Sequence, residues 1–170
     1  MQLLFIKGLY SHMEWADALV WQTVLGDTPG SRDDYVVDSL VHLHMVQRAW
    51  LAVWQGEEVS IATREDFGGL ADIRAWARSY HPEAASFVAG LTEESLQRVV
   101  SVSWTEFIEK EIGGPVSPAC LGDAVYQVAA HSAHHRAQVQ GRIREVGGSP
   151  SMVDYIGWVW RGRPAADWSE

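Results

Sequence analysis

The sequence has 170 residues, of which 47% are apolar, and 22 acidic against 13 basic residues give a net charge of −9. This length and composition favour one globular domain over residues 1–170, and the longest apolar runs are too short to cross a bilayer. The negative charge disfavours binding to a nucleic-acid backbone. With Cys120 as the single cysteine and no secretory signal pattern, we expect a soluble, cytoplasmic protein without an intramolecular disulfide.

Two long helices are predicted at the start of the chain. Apolar residues at helical spacing indicate the first over about residues 3–25, followed by a stop signal at residues 26–30. Residues 31–34 have the composition of a helix cap with acids in the first turn, so a second helix should follow and end near Gln55.

The middle of the chain has weaker patterns. A third helix is predicted over about residues 64–80, with His81 in the loop beyond it because proline follows. Residues 98–104 alternate and are rich in β-branched side chains, which favours a short strand. Residues 116–118 are compatible with a second short strand or with irregular structure.

A long helix over about residues 121–145 is predicted next, and glycines followed by proline at residues 147–150 end it. A last amphipathic helix should cover residues 152–160. Four or five helices with little strand predict an all-α fold, a four-helix bundle with a short irregular or β-hairpin insertion before the long helix.

The long helix carries three of the seven histidines within five positions. At about 100° per residue, His131 and His135 lie about 40° and one turn apart, so their imidazoles can converge on one ion. Both lie at the edge of the apolar face of the helix, whereas His134 points outward.

The second helix offers a third histidine in a matching place. His42 borders the apolar face, and His44 lies about 200° around the helix from His42. We assign that face to Val36, Leu43, Val46, Trp50, Val53 and Trp54. A solitary histidine at such a border is more often a hydrogen-bonded core residue, but three in matching positions favour a metal site.

Together, His42, His131 and His135 predict a three-nitrogen metal site with open coordination positions, which is typical of catalytic rather than structural metals. Zinc or nickel suits such ligands. The HxxxH spacing alone is common in helices, and Ser132 replaces the glutamate that the HExxH proteases need. Peptide hydrolysis by that route is therefore disfavoured, and we expect Cys120 to be a bystander rather than a nucleophile.

Several segments also resemble one known family, the DinB/YfiT-like metalloenzymes. The C-terminal signature of that family is similar to HSAHHRAQ at 131–138, REVGGSP at 144–150 and DY at 154–155. Its second-helix pattern, in which a histidine precedes a tryptophan by eight positions, is similar to His42 with QRAWL at 47–51. Its first helix is similar to MEWAD at 13–17.

This resemblance implies an up-down-down-up four-helix bundle, usually a homodimer, with one divalent ion on His42, His131 and His135. Gln138 projects about 20° from His131, which would place it beside the ligands or in the wall of the site. Trp50 is a candidate for the wall of an apolar pocket over the metal, with a dimer contact or core packing as alternatives.

The resemblance further implies an enzyme that activates a low-molecular-weight thiol, such as bacillithiol or mycothiol, for transfer to a small-molecule substrate. A cation lowers the pKa of a coordinated thiol and so supplies thiolate at neutral pH. Two alternatives remain open at this point. One is a hydrolase that uses metal-bound water, and the other is a non-catalytic metal-binding stress-response protein.

Overall fold

The computed structural model describes residues 2–26 and 29–169. Within these residues it contains six α-helices and two short strands: α1 (Gln2–Leu25), α2 (Asp34–Gln55), α3 (Leu70–Ala89), β1 (Val99–Val100), α4 (Thr105–Ile112), β2 (Ala119–Cys120), α5 (Leu121–Glu145) and α6 (Tyr155–Trp160). Short 3₁₀ turns cover Pro29–Arg32, Arg64–Asp66 and Ser95–Gln97. Asp27 and Thr28, which belong to the predicted stop after the first helix, lie outside the described residues.

The four long helices form the predicted all-α bundle. Helix α2 packs against α5 and α3, and α1 packs against the same two helices. Each long helix contributes fully buried apolar side chains, among them Trp21, Leu40, Tyr80 and Ile143, which are at most 1% exposed. None of the helices in the described ranges is long and apolar enough to span a membrane.

Helix α2 begins and ends where the sequence predicts. The Asp33 carboxylate accepts a hydrogen bond from the backbone N–H of Val36 at 3.1 Å and so caps the first turn. Gly56 ends the helix in the left-handed conformation, with φ of 75°. Arg142 of α5 also donates to Asp33 at 2.8 Å, so the cap joins the two helices that carry the candidate metal ligands.

The third helix differs from its prediction. Helix α3 begins at Leu70 and continues through Pro82 to Ala89, so the placement of His81 in a loop was wrong. Proline disfavours a helix locally but does not forbid one. Burial of Ala84 and Val88 beyond the proline offsets the lost backbone hydrogen bond, and the tertiary packing overrides the local signal.

The insertion before α5 contains a pair of short strands. Strand β1 lies within the predicted residues 98–104, whereas residues 116–118, for which a strand and irregular structure were both open, are irregular, and β2 follows them. Strand β1 pairs antiparallel with β2, with Val99 opposite Cys120 and Val100 opposite Ala119. The sequence patterns missed α4, which lies between the strands, and α6 begins at Tyr155 rather than at residue 152. The predicted bounds of α5 are confirmed.

Candidate metal centre

The packing of α2 against α5 brings three histidines together. One ring nitrogen from each of His42, His131 and His135 lies within 4.8 Å of the others. The Nε2 atoms of His131 and His135 are 3.1 Å apart. The His42 ring centroid lies 4.6 Å from that of His135 and 5.6 Å from that of His131.

These distances fit a divalent ion. Metal–nitrogen bonds of about 2.0 to 2.1 Å place two imidazole nitrogens about 2.8 to 3.4 Å apart on a tetrahedral or octahedral ion. The 3.1 Å separation of His131 and His135 falls in this range. His42 is exposed and the other two are half-buried, so a further ligand can approach from solvent.

The local electrostatics keep the three imidazoles neutral. Burial and, to a lesser extent, the nearby His135, His42 and His134 rings lower the pKa of His131 to about 4. Burial also lowers the pKa of His42. Burial and the neighbouring His42 lower the pKa of His135, although the Gln138 side chain acts in the opposite direction. Because neutral imidazole is the form that binds a metal, the cluster is ready for an ion at neutral pH.

The two residues predicted to line the site lie next to it. Gln138 is exposed and lies beside His135. Trp50 is half-buried and lines a cavity of about 410 Å³ that His131 also lines. The Trp50 ring contacts Trp104, which precedes α4, edge to face with centroids 5.4 Å apart. His134 is exposed, as its position on the helix predicts.

A second group of metal-type ligands, which the sequence did not predict, lies in the core. Ligand atoms of Asp17, His44 and His81 also lie within 4.8 Å of one another, and all three side chains are buried. The Nε2 atom of His81 is 3.4 Å from the Asp17 carboxylate. The prediction that His44 lies away from the apolar face was therefore wrong, since its exposed fraction is 0%.

Hydrogen bonds already occupy two members of this second group, Asp17 and His44. Asp17 accepts from Arg136 at 2.7 Å and from the Gln47 amide at 2.8 Å. The Trp21 indole donates to Nε2 of His44 at 2.9 Å, which leaves His44 Nδ1–H to donate to the Gln47 oxygen at 2.8 Å. The positive charge of Arg136 repels a cation here, so we interpret this buried polar network as structural.

The network also has a clear electrostatic signature. Burial alone would raise the pKa of Asp17, but the Arg136 guanidinium and the His81 and His44 side chains hold it well below its usual range. Burial lowers the pKa of His44 to about 4. Asp17 is thus an anion paired with buried Arg136 at neutral pH, and His44 is neutral.

The sequence contains a partial signal for this network. His44 and Gln47 are three positions apart and share a helix face with Leu40 and Leu51, all of which are buried. The buried face of α2 is therefore rotated by roughly a quarter turn from the face that we assigned from apolar residues. The part of the assigned face that carries Trp50 borders the cavity instead.

Comparison with known proteins identifies the family of the chain. The DinB family matches residues 7–163, a range that includes all three histidines of the candidate site. The uncharacterized protein YizA of Bacillus subtilis (strain 168) is 22% identical over 143 residues, which cover 84% of this chain and 84% of YizA. Because the family match covers most of its length, the chain belongs to the DinB family.

Proposed function

We propose that this protein is a divalent-metal-dependent enzyme that activates a low-molecular-weight thiol for transfer to a small electrophilic substrate. In this proposal, His42, His131 and His135 hold one zinc or nickel ion. The observation that carries the proposal is the convergence of three imidazoles with depressed pKa values on one point that solvent can reach.

The side chains around the site support this chemistry. A divalent ion at these ligands would lower the pKa of a bound thiol and supply thiolate at neutral pH. The cluster contains three neutral imidazoles and no carboxylate, so the protein leaves the charge of an ion uncompensated and favours an anionic ligand. Bacillithiol and mycothiol are the candidate thiols, and a reducing cytoplasm is the compartment that would keep them reduced.

The test combines metal analysis with a thiol panel. Protein purified without an immobilised-metal column should contain about one ion per chain. The metal-loaded protein should accelerate conjugation of bacillithiol, mycothiol, glutathione or coenzyme A to a chromogenic electrophile. Chelation should abolish this turnover and leave the helical circular-dichroism signal unchanged.

Matched variants on α5 separate a metal ligand from a neighbour. His131→Ala should lose metal and turnover, whereas His134→Ala should keep both because that side chain is exposed and outside the cluster. Parent-like metal content in alanine variants of His42, His131 and His135 would show that the ligand set is wrong. Ester turnover without thiol would indicate a hydrolase instead, and tight metal binding without any turnover would indicate a non-catalytic metal-binding protein.

We also propose that the protein is a homodimer. Four large apolar side chains of α1 and α6 are at least half exposed: Leu4, Phe5, Ile156 and Trp160. The Phe5 and Tyr155 rings lie 6.4 Å apart, which links the two helices in one surface. Such a patch is typical of an interface between subunits. Light scattering should give the mass of a dimer for the parent and of a monomer for Trp160→Glu.

A further inference from the structure

We propose that the cavity beside the histidine cluster, named here the apolar pocket, binds an uncharged aryl or alkyl group of the electrophilic substrate. The assignment of that group to the electrophile rests on the proposed thiol transfer. The affinity of the pocket for apolar groups is independent of that proposal, because the pocket lies beside the histidine cluster and needs no metal to form. Its main walls are Val46, Trp50, Ile61, Trp104, Phe107 and His131.

The size and shape of the apolar pocket suit a small aromatic group. Its volume of about 410 Å³ lies within the range of small-molecule sites. Trp50 and Trp104 meet edge to face at an interplanar angle of 89°, so two indoles from different elements form one corner of the wall. Rigid aromatic walls of this kind favour flat or branched apolar ligands.

The lining residues exclude charged groups. Among the described residues that line the pocket, Gln127 and His131 are the polar ones and none is an acid, a lysine or an arginine. A charged group placed there would lose hydration without gaining a partner. The acidic side chains of α4, such as Glu106 and Glu111, are exposed and lie outside the lining.

The location of the pocket assigns it to the second substrate. His131 belongs both to the candidate metal site and to the pocket wall, so a group in the pocket is adjacent to the reacting centre. A hydrophilic thiol gains little from indole and aliphatic walls. The electrophile is therefore the reactant whose apolar part fits.

Exposed side chains at the mouth of the pocket point to a ligand that covers them. Ile61 and Phe107 line the pocket and are 63% and 60% exposed. Burying such side chains against an apolar ligand is favourable by about 25 cal/mol per Å². Ile112 is on the same helix as Phe107 and is 63% exposed, but it lies outside the pocket and so provides a matched control.

The test uses two fluorescent probes with the same ring skeleton. N-phenyl-1-naphthylamine is uncharged, and 8-anilinonaphthalene-1-sulfonate carries a sulfonate. Metal-free protein should bind the neutral probe saturably with one site per chain and the sulfonate at least about tenfold more weakly, because the wall offers no cation. Equal affinity for both probes would overturn the proposal.

Variants then locate the probe. Phe107→Asp should weaken the neutral probe by about tenfold or more, since it places a carboxylate in the apolar wall, and Ile112→Asp should leave the affinity unchanged. Both variants should keep the parent melting temperature because both side chains are exposed. Equal effects of the two variants would overturn the pocket assignment. The assignment would also fail if the parent bound no probe and light scattering showed that Phe107→Asp converts a dimer to a monomer, because a second copy of the chain would then cover the pocket.

Activity measurements connect the pocket to the reaction. In metal-loaded protein, Phe107→Asp should raise KM for an aryl electrophile and leave the metal content and the KM for the thiol unchanged. If the protein binds the neutral probe more tightly than the sulfonate but shows no thiol turnover, the proposed function is rejected and the pocket assignment stands. Thiol turnover with an aryl electrophile whose KM does not respond to Phe107→Asp would reject the pocket and keep the proposed function.

Discussion

The candidate metal centre and the buried polar network each bring together three atoms that can bind a metal, but they differ in what surrounds those atoms. In each, three such atoms lie within 4.8 Å of one another. The imidazoles of His42, His131 and His135 meet mainly each other and solvent. Asp17 is instead paired with buried Arg136 and held by hydrogen bonds. Converging ligands thus indicate a metal site when their coordinating atoms are free and accessible, and a structural network when polar neighbours already occupy them.

The two groups are also mechanically connected through α5. Ser132 and Arg136 directly follow His131 and His135 in the sequence, and both are buried. The Gln47 amide lies 3.1 Å from the Ser132 hydroxyl and within hydrogen-bond distance of Asp17. These contacts fix the rotation of α5 against α1 and α2. The network therefore holds the face of α5 that presents the histidines.

The largest expected effect comes from breaking the network. Asp17→Ala leaves the Arg136 guanidinium, which is 2% exposed, without its carboxylate. The loss of an ion-pair partner in the core costs about 3 to 5 kcal/mol of unfolding free energy. His131→Ala in metal-free protein should cost about 1 kcal/mol or less, because that side chain is half-buried and has no buried charge to pair. Urea unfolding of both variants measures the difference, and similar losses would contradict the contrast between the two groups.

Metal should stabilise the protein through the histidine cluster. At a free concentration about 100 times Kd, zinc or nickel should raise the free energy of unfolding by about 2.7 kcal/mol. Thermal melts with and without added metal should show an increase in Tm for the parent and for His134→Ala, and none for His42→Ala. If added metal raised the Tm of His42→Ala as much as that of the parent, the metal would bind at another site.

The pH dependence of metal retention is the smallest and most specific effect. The folded pKa values of the three imidazoles lie below the ordinary value of about 6.5, with His131 at about 4. The ligands are therefore neutral above about pH 6.5, and protons displace the ion only as the pH falls from there toward about 4. Ultrafiltration followed by elemental analysis between about pH 7.5 and 4 measures the bound metal.

The sign of this effect follows from linkage. Between about pH 4 and 6.5 the unfolded chain binds protons that the folded site does not. The contribution of the three histidines to the free energy of unfolding is therefore complete above about pH 6.5 and declines on acidification. Loss of half of the bound metal at or above about pH 6.5 would show that the burial of the site does not depress these pKa values. The same titration of His134→Ala should keep full metal retention at neutral pH and shift release slightly toward higher pH, because His134 helps to lower the pKa of His131 and His135.

The sequence by itself determined the parts of the structure that depend on local interactions. The Asp33 cap and Gly56 set the ends of α2, and the bounds of α5 follow from its helical spacing and terminal glycines. The four-residue separation of His131 and His135 placed both on one face, because helix geometry alone relates positions one turn apart. The candidate ligands were therefore accessible to reasoning from sequence.

Only the tertiary structure decided which polar residues are buried. A helical wheel ranks positions by apolar neighbours on the same helix, so it left His44 outside the core. The Trp21 indole that donates to His44 and the Arg136 guanidinium that pairs with Asp17 come from other helices, and no local pattern reports them. The continuation of α3 through Pro82 also depends on packing. Long-range burial and cross-helix hydrogen bonds outweigh local preference by a few kcal/mol, which is why these features became visible only in the folded chain.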